Sequence, residues 1–226
     1  MKLLAALLAL LTASFHSFAQ AADPQQVDKP SFAPGEEWGY RRVDLWKNSE
    51  IERWRQTVTG VVGDHVTLEW NVVDSEDDTR RGSISDEFLN AGTLGFFDTK
   101  ALQGRHIPLD FPLFPGKTWS FTYKFDPEKN NSMFIHQKAR VEGWETVRVP
   151  AGEFRALKVV HTARYNMTDE KHYWGGYTWS GDIHETYWYA PDIKRVVRME
   201  YRDTGYENAP HDHWREELVY GRVHPR

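Results

Sequence analysis

Val147-Arg148-Val149-Pro150-Ala151-Gly152-Glu153-Phe154-Arg155-Ala156-Leu157-Lys158-Val159 sets two runs of β-type residues on either side of a Pro-Ala-Gly turn. Proline fixes φ at the start of a tight turn, and glycine accepts the positive φ that often closes one, so the stretch reads as a hairpin. Further on, Tyr187-Trp188-Tyr189-Ala190-Pro191 leads into Val196-Val197-Arg198-Met199-Glu200-Tyr201, a second strand pair around a proline turn. Together they mark Val147 to Tyr201 as framework, with no group arranged to do chemistry.

Working outward, period-2 alternation recurs on both sides. Val66, Leu68, Trp70 and Val72 alternate with His65, Thr67, Glu69 and Asn71, and Trp119, Phe121, Tyr123 and Phe125 alternate with Thr118, Ser120, Thr122 and Lys124. That is the signature of half-buried strands, and burying each of those rings contributes about 1.5–3 kcal/mol. Strands are also expected over 36–46, where Trp38, Tyr40 and Trp46 share one parity, and over 51–62, 133–149 with a bend near Gly143, 154–165, 183–189 and 193–202. A last one carries Trp214, Leu218 and Tyr220 on one parity. Asp74 to Asp78 reads as an acidic hairpin tip, without the spacing of a calcium loop. Residues 79–104 carry little pattern beyond a short helix over Ser85–Asn90 that Ser85 could cap, and Asp203 to His211 reads as a polar loop. No span of the chain after residue 21 shows a sustained 3.6-residue apolar repeat. The fold class is therefore mainly β: a large curved antiparallel sheet or two packed sheets, a half-barrel or a sandwich.

A shift of 81 residues lays Ala33-Pro34-Gly35-Glu36-Glu37-Trp38-Gly39-Tyr40 on Phe114-Pro115-Gly116-Lys117-Thr118-Trp119-Ser120-Phe121, and carries Gln56 onto Gln137 and Val58 onto Ala139. Repeats of this kind take precedence over local patterns. They divide a single domain, 32–226, into halves of about 32–110 and 113–221.

The first residues read as an export signal: Lys2, an apolar run from Leu3 to Leu11, and a small-x-small site at Ala19-Gln20-Ala21, so that 1–21 is a signal peptide and 22–31 a flexible leader. The apolar run is shorter than the ~20 residues a spanning helix needs. No cysteine is present, which excludes disulfides and thiolate metal sites. Net charge is −5 for the whole chain and −6 without Lys2. An acidic balance argues against nucleic acid as a partner. The 10 Trp, 10 Tyr and 12 Phe favour a β core, because flat rings pack well on pleated surfaces.

The motifs Phe114-Pro115-Gly116-Lys117-Thr118-Trp119, Val149-Pro150-Ala151-Gly152-Glu153-Phe154 with Leu157-Lys158-Val159, and Tyr187 to Pro191 with Val196-Val197-Arg198 resemble secreted bacterial β-domain families of unknown function. These are similar in architecture to the periplasmic lipoprotein-carrier fold. The resemblance spans roughly 110–202 and implies a curved antiparallel sheet in the cell envelope of a Gram-negative bacterium, in the periplasm or outside the cell. It implies no reaction and no cofactor. Unlike the lipoprotein members, this chain has no cysteine to carry a lipid.

Candidate sites are few. Trp174, Tyr177 and Trp179 lie in a glycine-rich segment, His172 to Gly181, that reads as a loop with rings too many for a strand core. With Trp188 they form the expected binding surface for an apolar or glycan ligand or an envelope partner. His211 and His213, two apart, with His184 or Asp182 from a neighbouring strand, are weak metal candidates. Glu185 and Glu200 could form a carboxylate pair, but on strands such residues mostly face solvent or meet an arginine such as Arg198 or Arg202. No nucleophile elbow, zinc-protease helix motif or phosphate loop occurs. The expectation is an exported, non-catalytic β-domain protein without stable membrane insertion, binding its ligand in the concavity of the sheet. A metal-assisted hydrolase and a structural or assembly factor are the alternatives.

Overall fold

A computed structural model describes residues 23–63, 65–73, 82–84, 102–104, 106–128, 131–169, 177–205 and 210–224. The expected export signal, the acidic tip at 74–78, the helix over 85–90 and Trp174 with the rest of 172–176 lie outside them. Eleven strands run in chain order: β1 (Glu37–Asp44), β2 (Ser49–Val62), β3 (His65–Val72), β4 (Gly82–Ile84), β5 (Leu102–Gly104), β6 (Thr118–Glu128), β7 (Asn131–Val149), β8 (Gly152–Asp169), β9 (Tyr177–Ala190), β10 (Arg195–Thr204) and β11 (Pro210–Arg222).

All belong to one open, curved antiparallel sheet of order β4-β3-β2-β1-β11-β10-β9-β8-β7-β6-β5, so the two-sheet alternative does not hold. The chain starts mid-sheet at β1, meanders out to one edge at β4, restarts at the other edge with β5, and meanders back until β11 pairs with β1. The quoted hairpin is the β7–β8 turn: Val149 pairs with Gly152, and the two strands stay in register out to Asn131 and Asp169. At about 3.4 Å per residue, β7 extends for roughly 60 Å. The bend expected near Gly143 is a register shift between Val141 and Gly143.

The two Pro-Gly turns share one hydrogen-bond pattern. Gly35 and Gly116 have φ of 89° and 88°. Gly35 N donates to Val58 O at 2.8 Å and Gly116 N to Val141 O at 2.9 Å, while Val58 N and Val141 N donate back to Glu36 O and Lys117 O. The sequence shift matches Val58 to Ala139 instead, so the second hairpin is longer by two residues.

Two apolar clusters form, one on the inner face and one where the hairpin ends turn their opposite face onto β1–β3. One gathers Phe121, Tyr123, Ile135, Val141, Leu157, Val159, Tyr165, Tyr187, Met199 and Tyr201 from β6 to β10, with Val27, Leu109 and Leu113 laid across them. The other joins Trp38, Tyr40, Trp54, Val58, Leu68 and Trp70 of β1–β3 to Val147, Val149, Ala156, Trp188 and Val197 from the ends of the β7–β8 and β9–β10 hairpins. The hairpin tip is held there by Ala151 N donating to Leu218 O at 3.1 Å.

Four sequence expectations are corrected. Trp46 is 55% exposed, because β1 stops at Asp44, whose Oδ1 accepts from Trp46 N and Lys47 N and turns the chain. Tyr220 leaves the parity of Trp214 and Leu218 at the register shift where Gly39 meets Tyr220 and Tyr40 meets Leu218. Its ring lies over Gly39, where a Cβ would come within 2.1 Å of it. The leader is tied down, with Val27 buried and bridged to Leu113, Arg155 Nε bonded to Asp23 at 2.8 Å, and Trp144 Nε1 donating to Pro24 O. Finally, Tyr177 to Gly181 is strand, paired with Asp169 to Tyr165, and Asp203, Thr204, Pro210 and His211 likewise belong to β10 and β11.

Gly152 has φ +136°, and a Cβ added to it would meet nothing within 4 Å, so a side chain there is opposed by the backbone alone. Gly152→Ala is expected to lower stability by about 1 kcal/mol or more. A urea midpoint equal to that of the parent chain would refute this.

Candidate functional site

Over Met133–Val141 of β7, Leu157–Met167 of β8 and Tyr177–Tyr189 of β9, one parity is apolar except at one position in each stretch. Gln137 sits between Ile135 and Ala139, His161 between Val159 and Ala163, and Glu185 between Ile183 and Tyr187, and all three are buried. Register brings them together: Gln137 pairs with Ala163, and His161 with Glu185. His161 Nε2 lies 2.9 Å from Pro108 O, which can only accept, so Nε2 carries the proton and Nδ1 is bare. Gln137 Nε2 then donates to His161 Nδ1 at 2.9 Å and to Glu185 Oε2, which also accepts from Tyr187 OH at 3.0 Å. The result is a continuous relay from the backbone at Pro108 to Tyr187.

Burial governs its protonation. It pushes Glu185 up to about 7, against the opposing hydrogen bonds from Gln137 and Tyr187. It pushes His161 down to about 3, helped by His106, and His106 itself down to about 4. No cation faces Glu185 in this network, so between about pH 4 and about pH 7 the site is a set of uncharged groups.

The segment from His106 to Leu113 covers the relay. His106 packs edge-on against Phe121 and Tyr123, Trp119 Nε1 donates to Ile107 O at 2.8 Å, and Lys117 Nζ holds Pro112 O at 3.0 Å and Asp110 Oδ2 at 2.9 Å. The concavity in which a ligand was expected is thus filled, over β6–β10, by the chain itself.

Apolar surface continues beyond the covered part. Met133, Met167 and Trp179 form one cross-strand row on β7, β8 and β9, outward of the row Tyr123, Ile135, Tyr165 and Gly181. All three are half-buried and pack against the first core cluster. Of the expected ligand residues, Trp179 therefore lies on this rim and Tyr177 lies two positions further out on β9. Trp188 is elsewhere: it is buried in the second cluster, and its Nε1 donates to Glu145.

The histidines do not converge. His184 and His213 each pair with Arg202, from opposite sides, which sets them two strand spacings apart, about 10 Å, with a guanidinium-bearing residue between. His213 packs against Trp46 instead. The side chain of His211 lies outside the described residues, among which no group of three metal-ligating side chains occurs. Glu185 and Glu200 point to opposite faces. Glu185 is buried rather than solvent-facing, and Glu200 meets Arg215 at 2.8 Å rather than Arg198 or Arg202.

Glu185→Gln should reveal the raised pKa. Because the folded-state value lies above the ordinary 4.5, stability from this group is full below about pH 4.5 and is lost as pH rises through about 7. The glutamine variant lacks that loss, so relative to the parent it should gain about 3 kcal/mol between pH 4.5 and pH 8. His106 and His161 run the other way, losing stability as pH falls from 6.5 through about 4 and 3, and they do so equally in both proteins. A stability difference between the two proteins that does not change with pH would contradict the assignment.

No family model matches the chain, and no curated protein does. Solved structures do. One is a predicted lipoprotein from Parabacteroides distasonis, 15% identical, with a TM-score of 0.52 over 87% of this chain and 99% of that one. Another is a predicted exported protein with a YmcC-like fold from Bacteroides fragilis, 19% identical, with the same TM-score of 0.52 over 87% of this chain and 99% of its own. Among the described residues no helix is long and apolar enough to cross a membrane. At these identities the likeness establishes architecture, and the architecture is the one the sequence resemblance implied: an open, curved β domain of the kind found in exported and lipoprotein-like chains of unknown function.

Proposed function

We propose that this chain is an exported, non-catalytic β-domain protein that binds an apolar ligand at the open rim of its sheet. The observation carrying this is the half-buried row Met133, Met167 and Trp179, which extends the inner apolar face outward past the segment that covers the rest. Thioether side chains adapt to irregular apolar shapes, and an indole adds a large flat contact area. Phe134, on the opposite parity of β7, is 52% exposed and adds apolar surface to the same end of the hairpin. The relay at Glu185 serves this reading as support: it fixes the covering segment to β7–β9 and closes the inner end of the concavity. It has no open face on which a substrate could sit, which argues against catalysis there. The export in this reading draws on the signal-like first 21 residues and on the exported proteins that share the architecture.

N-phenyl-1-naphthylamine, a neutral apolar probe that fluoresces on burial, tests the rim. The parent chain should bind it saturably, and Trp179→Ala should weaken binding by roughly fivefold or more with the unfolding midpoint kept within about 1 kcal/mol, as expected for a half-buried side chain. Absence of saturable binding by the parent, or equal affinity in the variant, would overturn the reading. Mass spectrometry of lipid carried through purification gives an independent check.

A further inference from the structure

The outer face of β6–β8 presents three consecutive cross-strand rows, Thr118–Arg140–Val160, Ser120–Lys138–Thr162 and Thr122–His136–Arg164. These nine positions hold three fixed cations and four hydroxyls and no carboxylate, on a chain whose net charge is −5. Along β7, Lys138 and Arg140 stand about 7 Å apart, and among the described residues neither makes an ion pair. Glu142, the next carboxylate along β7, is already engaged by Lys158 at 3.0 Å, and Arg164 lies 3.8 Å from Asp182. The surface is not flat: a groove of about 640 Å³ runs over it, lined by Thr118, Ser120, Lys138, Arg140, Thr162 and the Lys158-paired Glu142, with Val160 adding apolar contact.

We infer that this groove binds an extended acidic glycan, a polymer of sugars bearing carboxylates. Two exposed cations about 7 Å apart on one strand face match the repeat of a polyanion, and a repeating carboxylate satisfies Lys138 and Arg140 together through charge-assisted hydrogen bonds. The hydroxyls of Thr118, Ser120 and Thr162 suit sugar hydroxyls, each able to donate and accept. The half-buried Val160 suits the C–H face of a pyranose. A bilayer is the poorer fit, since the groove is concave and carries few apolar side chains to insert. This site lies on the face of the sheet opposite the Met133–Met167–Trp179 rim and stands or falls independently of it.

Polygalacturonate, neutral dextran, DNA and phosphatidylglycerol vesicles serve as probes for the full chain. Saturable binding to polygalacturonate and not to dextran is expected, falling roughly tenfold or more between about 50 and about 300 mM salt as the charges are screened. The Lys138→Gln/Arg140→Gln double variant, altered only at exposed positions, should lose binding by roughly tenfold or more with an unchanged unfolding midpoint. Lys47→Gln, an exposed cation elsewhere, should bind as the parent does. Failure to bind polygalacturonate, undiminished binding by the double variant, an equal loss in Lys47→Gln, or tighter retention on DNA or vesicles would each overturn the inference.

Discussion

An open sheet with an apolar inner face has to cover that face, and the whole arrangement follows from how this chain does so. A closed barrel satisfies both inner surface and edges at once. Here the sheet stays open and the cover comes from within. Residues 106–113 and Val27 lie over β6–β10, and the ends of the β7–β8 and β9–β10 hairpins close against the inner side of β1–β3. The second device explains why β7 and β8 are so long: their turn has to reach Leu218. The first explains why a histidine is buried at position 161, since a covering segment without regular structure leaves backbone carbonyls that need donors, and His161 supplies one to Pro108.

The two halves are cemented differently. Around β6–β10 the buried polar groups of the relay, Gln137, His161 and Glu185, form no ion pair with one another. Around β1 and β11 they are set against cations: Arg42 meets Glu216 at 2.6 Å between the rings of Trp54 and Trp214, and Lys194 meets Glu36 at 2.6 Å beside the Pro-Gly turn. Arg195, 1% exposed, donates to Gln56 and lies over Trp38. Buried pairs of this kind add little net stability, because desolvation offsets most of the attraction, but a mismatch strands a charge and is costly. Their effect is to fix register. Slippage of β1 against β11 by one residue would part Arg42 from Glu216 and turn every inward ring of β1 outward.

Much of the framework was legible because it is local. Alternation marked β3 and β6, and turn chemistry marked Pro150-Ala151-Gly152 and Pro191. What escaped depends on partners distant in sequence. The shift at Gly39/Tyr40 sends Tyr220 to the other face, and no residue within β11 announces it. The Gln137, His161 and Glu185 relay left a trace, one polar residue on each of three apolar parities, but their meeting is a matter of register between strands. Residues 106–113 have no period at all, so their role over the core had no signature. Glycines around Trp179 suggested a loop, yet Gly181 is needed because Tyr165 and the Thr204 carbonyl crowd the place a Cβ would take. The His184 and His213 pairing failed for the converse reason: shared strand direction says nothing about which residue stands between.

The placement of β1 beside β11 has a consequence for the order of assembly. Arg42 and Glu216 are 174 residues apart in the chain, so the first strand made has only β2 as a lasting neighbour until the last strand arrives. Contacts of such separation carry a large loop-closure cost and slow folding. A chain growing from its N-terminus would therefore hold β1–β3 as an incomplete meander, its Trp38, Tyr40 and Trp54 rings uncovered, until the later strands are made. Completion of the sheet is in this sense a check on the integrity of the C-terminus: a truncation before β11 removes no part of the rim or the relay, but leaves the two halves without the strand that joins them.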